Sequence, residues 1–279
     1  MTQDRLQYHL HKVAVLLLAI AFLVIMLFPL LWMVAGAFKS SAQIFAFPPR
    51  LLPSPPSLDS FATLLQRPIP FQVFLTNSVV VSALHVLGAL FISSMMGYAL
   101  AKYKFRLNKL LFILVLLGML VPIQVLFIPM FLITRDLGLV NTRTALVIPF
   151  IAHPLGAFLF RQYMLGVPDS IIESGRIDGA SEFRIYLQLF SPMVGPAFAA
   201  FAVVDFVEVW NAFVWPLVVL STQRLFTLPI WLNALIQDPY EHNYGLLFAA
   251  ALLTVAPAVI AFIAFQGKFV SGFTITSDK

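Results

Sequence analysis

Three polar residues recur at a spacing of three inside an otherwise apolar run: Asp205, Glu208 and Asn211. Residues three apart share one broad face of a helix. An ionised carboxylate near the middle of a bilayer costs about 2.5–3.5 kcal/mol unless it is paired or hydrated, so this face is expected to meet protein or water and not lipid. Carboxylates and an amide beside Trp210 and Trp215 suit the hydroxyls and ring faces of a sugar-like solute, and Gln124, in an earlier apolar run, could join them. Two other readings stay open. Asp205 and Glu208 could be interhelical hydrogen-bond partners that never touch solute, or the cation or proton site of an ion-coupled secondary transporter. His85 and His153 are lone histidines in apolar runs, for which packing is favoured over ligation.

The second segment with chemistry to offer runs from Pro168 to Phe183. Ser170 and Glu173 have capping-box spacing, which predicts a short helix beginning just after Ser170. Gly179 offers the left-handed turn that ends such a helix, and Ser181 can cap a second one carrying Phe183, Ile185, Tyr186, Leu187, Leu189 and Phe190 toward Pro192. Glu173, Arg176 and Asp178 beside Ile171, Ile172 and Ile177 make an apolar surface with a polar rim, which fits a groove on another protein. A helix lying on lipid headgroups is the alternative. Four acidic residues, Asp169, Glu173, Asp178 and Glu182, suit an anionic leaflet poorly.

Several chemistries have no residues to run them. The chain has no cysteine, which removes disulfides, thiolate metal sites and thiol catalysis. It carries no His-Glu-x-x-His motif, no clustered carboxylate and histidine metal site and no Gly-x-x-x-x-Gly-Lys-Ser/Thr phosphate loop. No catalytic residue, metal or nucleotide is therefore expected on this chain.

What must position these residues is a membrane domain. Of 279 residues 61% are hydrophobic and 10% charged, against about 45–50% and 25% in soluble domains. Six apolar stretches are each long enough to cross a bilayer, for which about 20 helical residues suffice: Val13 to Phe38, Gln72 to Ala101, Leu110 to Ile133, Thr144 to Phe160, Pro192 to Leu220 and Tyr244 to Phe265. The fold expected is all-α, with a membrane domain over 13–265, a tail before it at 1–12 and another after it at 266–279. The first stretch could be a cleaved signal peptide, with Ala35-Gly36-Ala37 as a small-residue site, but it is longer than a secretory apolar region and reads better as a retained anchor. The net charge of +5 lies in short segments flanking apolar runs, which encodes topology and not nucleic-acid binding. Lys102, Lys104, Arg106 and Lys109 crowd one hinge, so that hinge, both termini and the loop at 161–191 are expected to be cytoplasmic. The outer loop at 39–71 holds seven prolines, Pro48, Pro49, Pro53, Pro55, Pro56, Pro68 and Pro70, and is expected to be irregular and partly polyproline-like, either a solvated connector or a lip touching an external partner.

Glu173-Ser174-Gly175 with Gly179, followed by Leu189-Phe190-Ser191-Pro192, resembles the EAA loop of binding-protein-dependent importer permeases, whose pattern is Glu-Ala-Ala, three residues, Gly, and later Ile-x-Leu-Pro. The wider chain is similar to the carbohydrate-type branch, related to the smaller membrane subunit of maltose importers. The similar stretches are Phe38-Lys39-Ser40 with Ile44 to Pro49, Asn77-Ser78 with Gly97 to Ala101, Pro122-x-Gln124 with Pro129, Leu137-Gly138-Leu139-x-Asn141-Thr142, Trp210-Asn211 with Trp215-Pro216-Leu217, and Thr227-Leu228-Pro229. Ser174 and Gly175 stand where the family has alanines, and Gly lowers helix propensity by about 1 kcal/mol relative to Ala. Ser191 stands where the family has Leu, and the tail ends Thr274 to Lys279 without the usual small residues. The resemblance implies a type I ABC importer permease fold in a bacterial inner membrane. It implies as partners a second homologous permease, an extracytoplasmic solute-binding protein and a cytoplasmic ATPase dimer carrying ATP and Mg. Glu173, Ser174, Gly175, Asp178 and Gly179 would then form the coupling helix, and ATP-driven closure would switch the cavity between inward-facing and outward-facing.

Overall fold

The computed structural model describes residues 2–238 and 243–274, and every regular element among them is helical. They divide into two compact units. One comprises residues up to Phe71 with Leu232–Ala256, and the other Gln72–Trp231 with the residues from Pro257 onward.

In the first unit α1, Thr2–Ala37, is one long helix that passes beneath Phe248: a methyl group on Gly36 would lie 2.5 Å from that ring. The loop after it differs from the irregular segment expected, since α2, Ser41–Ile44, and α3, Asp59–Gln66, are helical. The stretch forming α3 is free of proline, and the Ser57 hydroxyl accepts the Asp59 N–H at 3.0 Å, which serves an amide that a helix start leaves without a partner. Leu64 is buried and Phe61 packs on Phe38 at 5.2 Å. Lys39 is buried too; its ammonium donates to the Arg50 carbonyl at 2.5 Å and lies 4.4 Å over the Trp32 ring.

The second unit is organised on α4, Phe71–Lys102. After it come α5, Asn108–Leu120, and α6, Ile123–Asp136; then α7, Thr144–Val147, and α8, Pro154–Leu165; then α9, Ser170–Ile177, and α10, Glu182–Arg184. A π-helical stretch at Ile185–Phe190 leads through α11, Ser191–Met193, into α12, Gly195–Trp210. The path continues with α13, Val214–Val219, while α14, Leu228–Ile236, and α15, Tyr244–Thr274, each contribute residues to both units. Ile275 to Lys279, the end of the tail read from the sequence, lie outside the described residues.

Among the described residues three helices are long and apolar enough to cross a membrane: His11–Ala37 within α1, α4, and Tyr244–Ile263 within α15. Where one continuous span was expected at Leu110 to Ile133, the chain bends by 106° between α5 and α6. Val121 is extended (φ −80°, ψ 118°), as a residue ahead of proline prefers, and Pro122 has no N–H to continue the helix. The bend is 50° between Thr144–Phe150 and α8, ahead of Pro154, and 83° between Glu182–Met193 and α12. Each bent pair has the length and composition of one span.

Small residues, Gly97 and Gly156 among them, set the helix crossings. A methyl group on Gly97 would lie 2.5 Å from Phe160 Cβ and 2.8 Å from the Arg161 backbone nitrogen, and Gly156 meets Phe201 and Ser93 in the same way. Polar residues tie the ends. Asn77 donates to the Arg224 and Phe226 carbonyls at 2.8 and 2.9 Å and accepts from Arg143 Nε at 2.9 Å. Asn141 holds a left-handed turn (φ 62°) and accepts the Ser221 and Thr222 amides at 3.1 and 2.9 Å.

Candidate functional site

The segment at 168–190 folds as a closed hairpin. Its first helix starts earlier than capping-box spacing suggests. Asp169 is already in right-handed helical geometry, the Ile172 and Glu173 amides bond to its carbonyl, and no side chain caps the end. Ser170 therefore lies in the first turn, because Pro168, preset in φ, opens the helix ahead of it. The far end follows expectation: Gly179 has φ +74°, the Ala180 amide reaches the Gly175 carbonyl at 2.9 Å, and the Gly179 amide reaches Arg176 at 3.1 Å. These two bonds are the Schellman closure. Ser181 then caps α10, its hydroxyl accepting the Arg184 N–H at 3.3 Å.

The second helix departs from a plain α-helix. From Ile185 to Phe190 it is π-helical, and the Ser191 amide and hydroxyl both donate to the Tyr186 carbonyl, the hydroxyl at 2.8 Å. A leucine at 191 could not make the second bond. Gly175 sits where the two helices touch: a methyl group there would come 2.9 Å from Ile185 Cγ1 and from Leu189 Cδ1. Gly175 is therefore a contact point, beyond the helix softening read from its propensity. Ile172, Gly175 and Ile185 face inward, while Glu173, Ser174, Ile177 and Asp178 are exposed on the outer side. At 85% exposure Ile177 is an unpartnered apolar anchor.

The hairpin shares its core with the helices above it. Ile172, Ile185, Tyr186 and Phe190 belong to one cluster with Tyr98, Phe160, Met164 and Phe201. Polar contacts reinforce it at the end of α4. Lys102, its side chain 4% exposed, donates to Asp169 Oδ1 at 2.7 Å and to the Val167 carbonyl at 2.5 Å. Tyr103 donates to one Glu182 oxygen, and Arg176 Nε donates to the other at 2.6 Å. The Arg176 guanidinium and the Tyr103 hydroxyl hold the Glu182 carboxyl below its ordinary range, and Lys102 does the same for Asp169. Both contributions are present at neutral pH and are lost as pH falls through the lowered values. Burial, with Glu182 beside it, pushes the Tyr103 hydroxyl up. Lys102 was read only as a topology charge and Tyr103 was not singled out, because their partners lie 65–79 positions along the chain.

The polar residues of α12 straddle a burial boundary. Asp205 is 1% exposed, whereas the Glu208 side chain is 51% exposed and Asn211 is exposed beside it. Trp210 and Trp215 are buried, with Trp215 Nε1 donating to the Ala145 carbonyl at 2.9 Å, so neither ring is presented to a solute. The two histidines are also drawn in. His85 Nε2 lies 3.7 Å from Asp205 Oδ1, and His153 Nε2 lies 3.3 Å from Glu208 Oε2. His153 stands at the break before α8, with Phe201 edge-on to its ring at 5.5 Å and its carbonyl accepting the Ser93 hydroxyl at 3.2 Å. Gln124 is exposed in the first turn of α6. Among the described residues no group of three or more His, Cys, Asp or Glu could hold a metal ion.

The buried pair makes a measurable claim. Asp205→Ala and His85→Ala should each destabilise the protein, and the double variant should be less destabilised than their sum by about 0.5–2 kcal/mol, the range of polar contacts between membrane helices. A double-mutant cycle on unfolding in detergent reads this coupling; additive losses would show that the two side chains act independently.

Residues 89–273 match the family model described as binding-protein-dependent transport system inner membrane component. The chain is 39% identical to the arabinooligosaccharides transport system permease protein AraQ of Halalkalibacterium halodurans over 93% of each chain, and 35% identical to AraQ of Bacillus subtilis over 98% of each. It is 31% identical to the lactose transport system permease protein LacG of Rhizobium radiobacter, over 88% of this chain and 89% of LacG. In structure it is similar to a chain of a bacterial ABC transporter that imports the acidic polysaccharide alginate, with a TM-score of 0.84 at 24% identity over 96% of this chain and 98% of that one. A chain of the MetNI methionine ABC transporter aligns over 76% of this chain and 97% of its own with a TM-score of 0.53 at 18% identity. The chain belongs to the binding-protein-dependent transport system inner membrane components, multi-pass, non-catalytic permease subunits of ABC importers whose ATP hydrolysis resides on a partner chain.

Proposed function

We propose that this chain crosses the membrane six times with both termini in the cytoplasm and forms half of the pathway of a sugar or oligosaccharide importer. The single observation that carries its coupling role is the closed hairpin, with Glu173, Ser174, Ile177 and Asp178 exposed on its outer side and Gly175 and Gly179 shaping it. In this reading α9 sits in a cleft of a cytoplasmic ATPase dimer, which binds the ATP and Mg that this chain has no motif to hold. The cluster of Lys102, Lys104, Arg106 and Lys109 supports a cytoplasmic hairpin, because short cytoplasmic loops are enriched in Lys and Arg. A second homologous permease completes the pathway, and an extracytoplasmic solute-binding protein delivers the cargo.

The exposed stripe Val204, Val207, Glu208 and Asn211 is the solute-facing part of α12, since an exposed carboxylate in a spanning helix requires water or protein beside it. His153 orients Glu208, Asp205 and Trp210 act from behind, and Gln124 contributes from α6. The relatives named for arabinooligosaccharides and lactose support a neutral sugar as cargo.

The deciding experiment purifies the tagged chain with its co-expressed genomic neighbours and measures ATPase activity and uptake of arabino-oligosaccharides and lactose. Co-purification of an ATPase and a second permease, with uptake that stops when ATP is depleted, is the expected result. Glu208→Gln should raise the half-saturating solute concentration severalfold while leaving basal ATPase activity unchanged. A chain that purifies alone and transports on an ion gradient would overturn the reading in favour of a secondary transporter.

A further inference from the structure

Docking alone does not move a pathway; whatever pushes the hairpin must reach a membrane helix through contacts stiff enough not to yield. The end of α4 supplies them. Lys102, the last residue of α4, and Tyr103, the next, each reach a different arm of the helical hairpin: Lys102 meets Val167 and Asp169 ahead of α9, and Tyr103 meets Glu182 at the start of α10. Glu182 uses both oxygens, one for Tyr103 and one for Arg176 of α9. One carboxylate thus joins the end of α4, the first hairpin helix and the second. Directly above, the Ser94 and Tyr186 hydroxyls are 2.6 Å apart, and the Tyr98 ring touches Tyr103, Tyr186 and Phe190 at centroid distances of 5.5, 5.4 and 4.9 Å. Ion pairs with an exposed partner add little to folding stability, so stability alone does not account for two ion pairs and a tyrosine hydrogen bond gathered at this one junction. A short, charge-assisted contact with both oxygens satisfied does fix geometry.

We propose that Lys102, Tyr103 and Glu182 form a latch that makes α4 and the hairpin one mechanical body, so that displacement of the hairpin is delivered to the membrane through α4. These are positioning residues, acting through the hairpin and touching neither nucleotide nor solute. The proposal rests on the docking role assigned above to α9, and it adds which helix receives the motion.

The absence of native cysteine allows spin labels at introduced cysteines without background. In the assembled, ATPase-bound complex, labels at Phe91→Cys on α4 and Leu187→Cys on the hairpin, both exposed positions, report the distance between the two elements. With the latch intact the distance distribution should keep its width and centre with and without ATP and vanadate. In Tyr103→Phe, Glu182→Gln and Lys102→Met the complex should still hydrolyse ATP within twofold of the parent rate, but the distribution should at least double in width when nucleotide binds. Lys102→Arg should restore the narrow form, which a purely packing role for Lys102 would not require. Narrow distributions in all three disrupting variants, with ATPase activity retained, would overturn the latch and leave the docking role standing. Loss of the ATPase from the unaltered complex would remove the docking role and the latch with it.

Discussion

Substituting Gly179 by valine is expected to reduce ATP-coupled uptake at least tenfold while the membrane core stays folded. Gly179 has φ +74°, and nothing lies within 4 Å of a Cβ built there, so the cost is conformational and not steric crowding. A β-branched residue held in that region carries about 1–3 kcal/mol of strain. Relieving it means opening the turn, which breaks the Ala180–Gly175 and Gly179–Arg176 backbone bonds and swings α9 away from α10. Because 1.4 kcal/mol is about a factor of ten in a population, the upper part of that range shifts the closed turn toward open forms by more than tenfold. Gly179→Asn should lose much less, since Asn tolerates left-handed geometry. Uptake and ATPase activity per complex, measured beside the unfolding midpoint, separate the outcomes. Uptake unchanged in the valine variant would mean that the shape of this turn does not matter for coupling, and the docking role of α9 would fall with it.

The same turn shows what a sequence can and cannot disclose. Gly179 and Ser181 are legible because a left-handed stop and an N-cap are set by the residue itself and its immediate neighbours. Ser170 is not, because whether a serine caps depends on whether the chain before it is already helical, and Asp169 is. The break at Val121–Pro122 is hidden by the apolar character of both flanks, so a hydropathy reading runs straight through a bend of 106°. On α12 the spacing of three is read correctly but the burial boundary is not. Three residues at about 100° each fall roughly 60° short of a full turn, which is enough to put Asp205 inside and Glu208 outside. Neither histidine partner could be found from spacing, since His85 and Asp205 meet only when α4 and α12 pack. The membrane class and the six apolar stretches, in contrast, follow from composition, which every residue contributes to and no single contact can alter.

Two glycines that look alike in sequence should respond in opposite ways to alanine, because of what stands opposite each of them. At Gly97 the added methyl group would meet Phe160 Cβ at 2.5 Å and the Arg161 backbone nitrogen at 2.8 Å. Neither atom can turn aside, so α4 and α8 must separate. Overpacking of this kind costs about 1–3 kcal/mol even where side chains can adjust, and here it also loosens the contacts of Gly156 and Ser93 at the same crossing. Gly97→Ala is therefore expected to lower the unfolding midpoint in detergent by roughly 5–10 °C, at about 2–4 °C per kcal/mol for a chain of this size, and to cut the yield of assembled complex severalfold. At Gly175 the atoms opposite are side-chain carbons, Ile185 Cγ1 and Leu189 Cδ1, with no backbone atom among them, and the helix gains about 1 kcal/mol of propensity from alanine, which offsets the small shift they must make. Gly175→Ala should thus leave the midpoint within 2 °C or so of the parent, on the same conversion, and leave uptake intact. Equal losses in both variants would mean that the hairpin is packed as rigidly as the membrane crossing. A rigid docking helix would then have to fit its partner by moving as a whole, with no adjustment of its own.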